Sequence, residues 1–358
     1  MNASSPTVSV VIPSYNRAYC IRAAIDSVLA QTYASIEAIV VDDGSSDGTQ
    51  DLILAEYGNN QRVRYIFQPN QGVCAARNRG FAESRGEFVA LLDSDDAWLP
   101  WKIEAQLACL KRFPAAGMVW TDMDAVSEKG AIVHGRFLRT MYSAYRWYPR
   151  PENLFTESVP IATLLPGSIP ELATANAYCG DIYSQMIAGN LVHTSTVLLR
   201  RSRLEQVGTF NVNLRHSGED YDFHLRTCSY GPVAYIDAPS IHYRWGASDQ
   251  LTAPEYRIHR ARNFINTILP ALERDRERIK LPRHILRTTL YGAFLWIGEA
   301  ALEAGYPDEA ALNLMKSLWY YPLQPRTLGL LVLSRLPPSM TRFLRNAYSR
   351  AKPLFTQA

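Results

Sequence analysis

The first hundred residues alternate between short β-branched runs and helical periodicity, and that alternation leaves few folds open. Residues 7–12 form a β-branched run ended by Pro13, and Ile21, Ala24, Ile25, Val28 and Leu29 then recur at the i, i+3, i+4, i+7, i+8 spacing of a buried helix face. Residues 36–41 repeat the strand, and Ser46 or Asp47 is placed to cap a helix carrying Leu52, Ile53 and Ala55. A third strand falls at 63–67, a small-residue helix at about 75–82, and a fourth strand at 88–92. That last strand is apolar throughout, as a strand covered on both faces must be. Strands alternating with helices predict an α/β fold with a mostly parallel sheet, which binds ligands beyond the carboxyl ends of its strands. Acidic clusters stand at those ends: Asp42 and Asp43 after the second strand, Asp93, Asp95 and Asp96 after the fourth.

The rest of the chain reads differently. Between Gly135 and Gly180 the pattern dissolves into Tyr, Pro and Arg, which predicts a long loop or insertion, and regular structure resumes at 192–199. After about Tyr256 helical periodicity takes over, for example at Ile285, Thr288, Thr289, Gly292 and Leu295, so a C-terminal all-helical region is expected. The net charge of +3 hides a division: residues 256–358 carry 16 Lys and Arg against 7 Asp and Glu, leaving 21 against 27 for residues 1–255. From Ala310 onward there are seven basic residues and no acidic one. With 47% hydrophobic and 20% charged residues the chain is neither disordered nor of low complexity. Five cysteines without a close pair read as reduced, buried thiols and fit the cytosol. The apolar stretch after Thr7 is five residues long, too short for a signal-peptide core or a membrane span.

Three carboxylates within four residues repel one another, so folding Asp93, Asp95 and Asp96 together calls for a cation or for solvent. Oxygen ligands without His or Cys favour Mg²⁺ or Mn²⁺, which keep positions open for phosphate oxygens. The alternative is a solvated turn with helix-capping aspartates.

Context raises the first reading. The segments Val8-Ser9-Val10-Val11-Ile12-Pro13-Ser14-Tyr15-Asn16-Arg17, Val40-Val41-Asp42-Asp43-Gly44-Ser45-Ser46-Asp47-Gly48-Thr49, Asn70-Gln71-Gly72 with Ala76-Arg77-Asn78, and Leu91-Leu92-Asp93-Ser94-Asp95-Asp96 occur in this order, followed by Ser217-Gly218-Glu219-Asp220-Tyr221-Asp222. Together they resemble the family 2 glycosyltransferases over about residues 7–250. The resemblance implies a GT-A fold in residues 1–255, with a donor half to about 120 and an acceptor half from about 121, followed by a basic helical region, 256–358. It implies a nucleoside diphosphate sugar donor and a divalent metal, Mn²⁺ or Mg²⁺. Carried over by position, Pro13, Tyr15 and Asp42 line the nucleoside pocket, with Asp43 beside them, and Arg77 matches a nucleotide-contacting arginine. Asp93 lies near the ribose, Asp95 holds the metal and Asp96 supports it. Relatives often follow a Tyr-Arg pair with a His near the diphosphate. Here Tyr243-Arg244 is followed by Trp245-Gly246, which leaves Arg244 as the candidate clamp and His242 as a core or surface residue. Trp98 and Pro100 resemble packing residues that continue the Asp-x-Asp segment.

An acceptor hydroxyl has a pKa far above 7, so displacement on the sugar's opposite face needs a carboxylate to take its proton. Asp220 is the first choice, near the start of a helix predicted over 221–228 whose dipole favours the ionised form. Glu219 is the alternative base, or orients Asp220 or binds acceptor; Asp222 is placed to cap the helix. The expected function is inverting, metal-dependent transfer to a glycan or lipid-linked acceptor in surface polysaccharide synthesis, in the cytoplasm and at the inner membrane face. A noncatalytic nucleotide-sugar or glycan-binding role is the alternative. No G-x-G-x-x-G follows the first strand, which disfavours a dehydrogenase. The tail sets Arg335, Arg342, Arg345, Arg350 and Lys352 beside Leu331, Leu333, Leu336, Phe343 and Leu344. That mix suits an amphipathic helix on an anionic membrane, or an ordinary helical cap with a solvated basic face, and gives no support for nucleic acid as a partner.

Overall fold

The structure is a computed structural model that describes residues 7–165, 167–214, 217–246 and 256–336. Its first strand, β1 (Val8–Ser14), runs through Pro13 instead of stopping there. The reason lies in the ladder. The Val11 carbonyl faces the strand Phe88–Leu91 and accepts from Leu92, while the Ser14 carbonyl faces the strand Ile36–Asp42 and accepts from Asp43. Pro13 therefore turns its missing N–H to the side where the neighbouring strand has already ended, and no ladder bond is lost.

The α1 helix (Ile21–Leu29) buries Ile21, Ala24, Ile25 and Val28, and β2 (Ile36–Asp42) is buried along its whole length. In α2 (Thr49–Tyr57) the buried positions are Thr49, Ile53 and Tyr57; Leu52 is half-buried and Ala55 exposed. Asp47 is the capping side chain, accepting from the Thr49 N–H at 3.1 Å. The next elements are β3 (Val63–Phe67), α3 (Val73–Glu83) and β4 (Phe88–Leu91). Gly80 of α3 lies against Val11 of β1, where any Cβ would collide, so the helix sits close on the sheet. The strand order β3-β2-β1-β4 is parallel throughout, so the chain ends of β1, β2 and β4 open on one edge.

The second half of the sheet is mixed. It contains β5 (Ala97–Trp98), α4 (Lys102–Arg112), β6 (Met118–Val126), β7 (Ile132–His134), α5 (Leu138–Met141), β8 (Glu157–Pro160), β9 (Asn176–Gly180), α6 (Tyr183–Met186), β10 (Leu198–Arg200), α7 (Arg201–Val207), α8 (Glu219–Ser229) and β11 (Val233–Arg244). Strand β10 pairs antiparallel with β4 and β6, and β6 runs parallel to β11. The expectation of a long loop over 135–180 is corrected here. That stretch holds short helical turns and the β8–β9 pair, which extends the sheet beyond β11. Its strands are too short to show a period, and aromatic packing of Phe155 and Tyr178 on Tyr235 holds them. Over 192–199 only Leu198 and Leu199 are in a strand; Thr194–Thr196 is a 3₁₀ turn.

The described residues fall into two compact units, Met1–Gln250 with Glu277–Lys280, and Leu251–Arg276 with Leu281–Ala358. The second is helical: α9 (Arg257–Arg274), α10 (Arg283–Ala304), α11 (Pro307–Tyr320) and α12 (Pro325–Ser334). Arg257 pairs with Glu299 and Glu303, and Arg262 with Glu309, fastening α9 to α10 and α11. The basic positions Arg342, Arg345, Arg350 and Lys352, with Phe343 and Leu344, lie outside the described residues. No helix among the described residues is long and apolar enough to cross a membrane. All five cysteines are free and buried.

Candidate active site

The loops after β1 and β2 are laced together by short polar side chains. Asn16 adopts a left-handed conformation, φ 53°; its N–H donates to Ser45 Oγ and its Oδ1 accepts from the Ser46 N–H, both at 2.8 Å. Asp42 is fully buried at the end of β2. One of its oxygens accepts from the Ser45 N–H at 2.8 Å and the other from the Tyr65 hydroxyl at 2.7 Å. Burial and that hydrogen bond push the Tyr65 phenol well up. Asp43 accepts three donors: the Gln68 side chain at 2.7 Å, the Gln71 N–H at 2.9 Å and the Gly72 N–H at 2.7 Å. Three of its four acceptor positions hold the loop before α3, whereas Asp42, with one donor on each oxygen, keeps two open. Pro13 is buried and Tyr15 is exposed.

At the centre lies Arg77 of α3, only 4% exposed. Its Nη2 donates to Asp93 Oδ1 at 2.7 Å and its Nη1 to Glu219 Oε1 at 2.9 Å, and Phe210 lies under the guanidinium with 5.1 Å to the ring centroid. One buried cation thus joins the loop after β4 to the first residue of α8. Burial works against the charge of Arg77, and the two carboxylates more than offset it. Burial alone would raise Asp93; the Arg77 charge, with a contribution from His193, holds it below its ordinary value.

The turn after β4 is fixed from the segment before β10. Ser195 Oγ accepts from the Asp93 N–H at 3.0 Å and its hydroxyl donates to Asp96 Oδ2 at 2.6 Å, while the Ser195 carbonyl accepts from Trp98 Nε1 at 2.9 Å. Asp96 Oδ1 accepts from the Arg244 N–H at 3.2 Å. Burial, then the charges of Asp95 and Asp93, push the Asp96 carboxyl well up; burial and Asp93 also raise Asp95. The sequence places Asp93, Asp95 and Asp96 on the metal. Among the described residues the structure gathers Asp93, Asp96 and His193, with one ligand atom of each within 4.8 Å of the others, and leaves Asp95 outside that group. Trp98 is buried as a packing residue should be, but Pro100 is exposed. Arg244 lies along the same turn, its Nε donating to the Asp95 carbonyl at 3.4 Å and its guanidinium over Tyr19. His242 is half-buried.

These groups fit a divalent cation. An Asp96 carboxyl pushed up by burial and by the charges of Asp95 and Asp93 is the condition a dication relieves, and buried His193 brings to this corner a ring whose Nδ1 has no hydrogen-bond partner. Burial, only partly countered by Asp93, lowers the His193 pKa to about 4, so the imidazole is neutral at physiological pH.

Helix α8 begins at Glu219, two residues before the predicted start, after Ser217 and Gly218 both take positive φ, 114° and 93°. Its first turn carries Glu219, Asp220 and Asp222. Glu219 is committed to Arg77, and Asp222 to Arg226 at 2.8 Å, one helical turn on. Asp220 Oδ2 accepts from Asn190 Nδ2 at 3.2 Å. The helix-dipole argument for an ionised Asp220 is corrected here, because burial and the Glu219 charge raise its pKa to about 7. Sequence reasoning missed His193 and the task of Asn190. Both sit in an irregular segment whose residues read from the sequence as structural, an acceptor-side strand and turn.

Residues 9–164 match the family model described as Glycosyl transferase family 2. An uncharacterized glycosyltransferase of Rickettsia typhi is 29% identical over 273 residues, 76% of this chain and 70% of the relative. Chondroitin synthase of Pasteurella multocida is 37% identical over 131 residues, 36% of this chain but 13% of that protein. The crystal structure of residues 1–349 of TarS from S. aureus, in complex with UDP-GlcNAc, superposes with a TM-score of 0.52 at 16% identity, covering 89% of this chain and 93% of that one. At that identity the likeness is one of fold.

Removing the central cation strands the buried Glu219 carboxylate and the half-buried Asp93 carboxylate. Arg77→Met should lower stability by about 3–5 kcal/mol in denaturant titration, and the double variant Arg77→Met with Glu219→Gln should recover part of that loss. A single variant as stable as wild type would show that the Arg77 pairs hold nothing.

Proposed function

The chain is a member of glycosyl transferase family 2 through residues 9–164, and from that premise we propose that it is a metal-dependent, inverting glycosyltransferase. It moves a sugar from a nucleoside diphosphate sugar, a UDP-sugar, to a hydroxyl of a glycan or lipid-linked acceptor in bacterial-type surface polysaccharide synthesis. The partial likeness to a chondroitin synthase supports a polysaccharide acceptor. One observation carries the proposal. The chain ends of β1, β2 and β4 and the turns after them bring Pro13, Tyr15, Asp42, Asp93 and Asp96 to one edge of the sheet, and Arg77 joins that edge to Glu219 of α8.

Each residue has a task that its surroundings support. Asp42 receives the base N–H, with Pro13 and Tyr15 beside it, and Asp43 holds the loop over them. Asp93 and Asp96 are the residues we assign to a Mn²⁺ or Mg²⁺ ion, with Asp95 beside them adding its negative charge from outside their group; when bound, the ion would supply positive charge against the diphosphate leaving group. Arg244 stands along the same turn as the candidate diphosphate clamp. Asp220 takes the acceptor proton as the new bond to the sugar forms and the bond to the diphosphate breaks; Asn190 orients it. Glu219 supports the base through its charge and is not free to act itself, since Arg77 holds it. A base with a pKa of about 7 is matched to neutral operation.

We place the protein in the cytoplasm at the inner membrane face. In the helical unit, α11 exposes Leu312, Met315 and Trp319 on one stripe beside Lys316, and Leu323 follows it, 95% exposed. Apolar side chains beside cations, in a stretch without acidic residues, suit an anionic bilayer surface.

With Mn²⁺ and a panel of UDP-, GDP- and TDP-sugars, transfer or donor hydrolysis should appear with a UDP-sugar. Asp220→Asn should lower kcat by about 10²–10⁴. In the wild type, kcat/KM should fall as pH drops below about 7, where Asp220 takes up a proton. Because its folded pKa is raised, Asp220 opposes folding above that pH and ceases to do so as the pH falls toward the usual carboxylate value. Asp220→Asn should therefore be at least as stable as wild type at pH 8. Full activity in this variant would show that Asp220 is not the base, and a wild type without transfer or donor hydrolysis on any of these sugars would leave only the noncatalytic, sugar-binding role. Separately, the full chain should float with phosphatidylglycerol vesicles but not phosphatidylcholine vesicles, and Trp319→Ser with Leu323→Ser should abolish flotation. Unchanged flotation would remove this face from the account.

A further inference from the structure

His193 has a place in the fold that the motifs leave without a task. It is 8% exposed, at the entry to the turn Thr194–Thr196. Its backbone is pinned, the carbonyl accepting from the Thr196 N–H at 3.0 Å and the Thr196 hydroxyl at 2.6 Å. Its ring packs edge-on to Tyr243, with 5.2 Å between centroids and 75° between planes. Packing, not a hydrogen bond at Nδ1, sets the ring, for Nδ1 has no partner. A buried polar atom left without a partner is unfavourable, and its persistence calls for a reason.

An orphaned imidazole is not by itself a site. His224 is fully buried with neither ring nitrogen partnered, yet it belongs to no group of potential metal ligands among the described residues. His193 differs in its company, for a ligand atom from each of Asp93, Asp96 and His193 lies within 4.8 Å of the others. The two Asp96 oxygens each accept one hydrogen bond, and each retains a lone pair.

We propose that His193 is a direct ligand of the divalent cation, forming with Asp93 and Asp96 a mixed oxygen and nitrogen site that selects Mn²⁺ over Mg²⁺. This rests on the metal dependence proposed above and deepens it. Mg²⁺ keeps to hard oxygen ligands and holds its waters, whereas first-row transition ions accept an imidazole nitrogen. One nitrogen among the ligands therefore shifts the balance between two ions that three carboxylates would leave nearly even.

The test is pulsed EPR on the full chain loaded with Mn²⁺ and UDP, which reads nitrogen coordination without any variant. The spectrum should show ¹⁴N modulation from a bound imidazole, and His193→Asn should remove it. In the same variant, checked for folding by circular dichroism, Mn²⁺ affinity should fall by about tenfold or more, while Mg²⁺ affinity, measured by competition, should change by less than about twofold. A Mn²⁺-loaded wild type without ¹⁴N modulation would overturn the His193 assignment and leave the metal dependence standing. So would an unchanged preference between Mn²⁺ and Mg²⁺ in the folded variant. A wild type that binds no Mn²⁺ in the presence of UDP would overturn both.

Discussion

A buried guanidinium holds the two halves of this site together. Arg77 reaches Asp93, 16 residues on, and Glu219, 142 residues on, through two hydrogen-bonded ion pairs in a place where water is nearly absent. Desolvating three charges is expensive, and only good geometry repays it. The arrangement is also deliberately incomplete. One cation faces two anions, and Asp95, Asp96 and Asp220 add further carboxylates that burial and mutual repulsion push up. Such a site attracts positive charge on the side of the β4 loop and protons on the side of α8, which is what the proposed metal and base roles require.

Between these two poles runs one irregular stretch of chain. Asn190 bonds to Asp220, His193 sits against Asp93 and Asp96, and Ser195 bonds to both the backbone of Asp93 and the carboxylate of Asp96. A regular strand could not do this, since alternate side chains would point to opposite faces of the sheet. Breaking the strand into a 3₁₀ turn before β10 lets neighbouring polar residues face the same corner. In the loop after β2, likewise, the two adjacent aspartates divide the work: Asp43 gives most of its acceptor capacity to three donors that hold the loop, and Asp42 keeps more of its own open.

The parallel half of the sheet was legible in the sequence because its strands are mostly apolar runs rich in β-branched residues that alternate with helical segments. Pro13 misled, since a proline ends a strand only where its N–H is needed. The β8–β9 pair was illegible because its four- and five-residue strands mix polar, apolar and proline positions without a measurable period, and long-range packing decides their state. In the site, the carboxylates announced themselves by clustering. What local sequence cannot express is burial. A helix dipole at Asp220 counts for less than the loss of water and the charge of Glu219, and a single histidine beside Thr194 acquires meaning only when residues a hundred positions earlier are folded against it.

The most direct test of the whole account is anomalous diffraction at the manganese edge from crystals of the full chain soaked with Mn²⁺ and UDP. The account predicts one strong peak in the corner bounded by Asp93 and Asp96, with the diphosphate beside it and the uracil ring toward Asp42. Nucleotide bound without an ion in that corner, or an ion elsewhere with these carboxylates untouched, would contradict it.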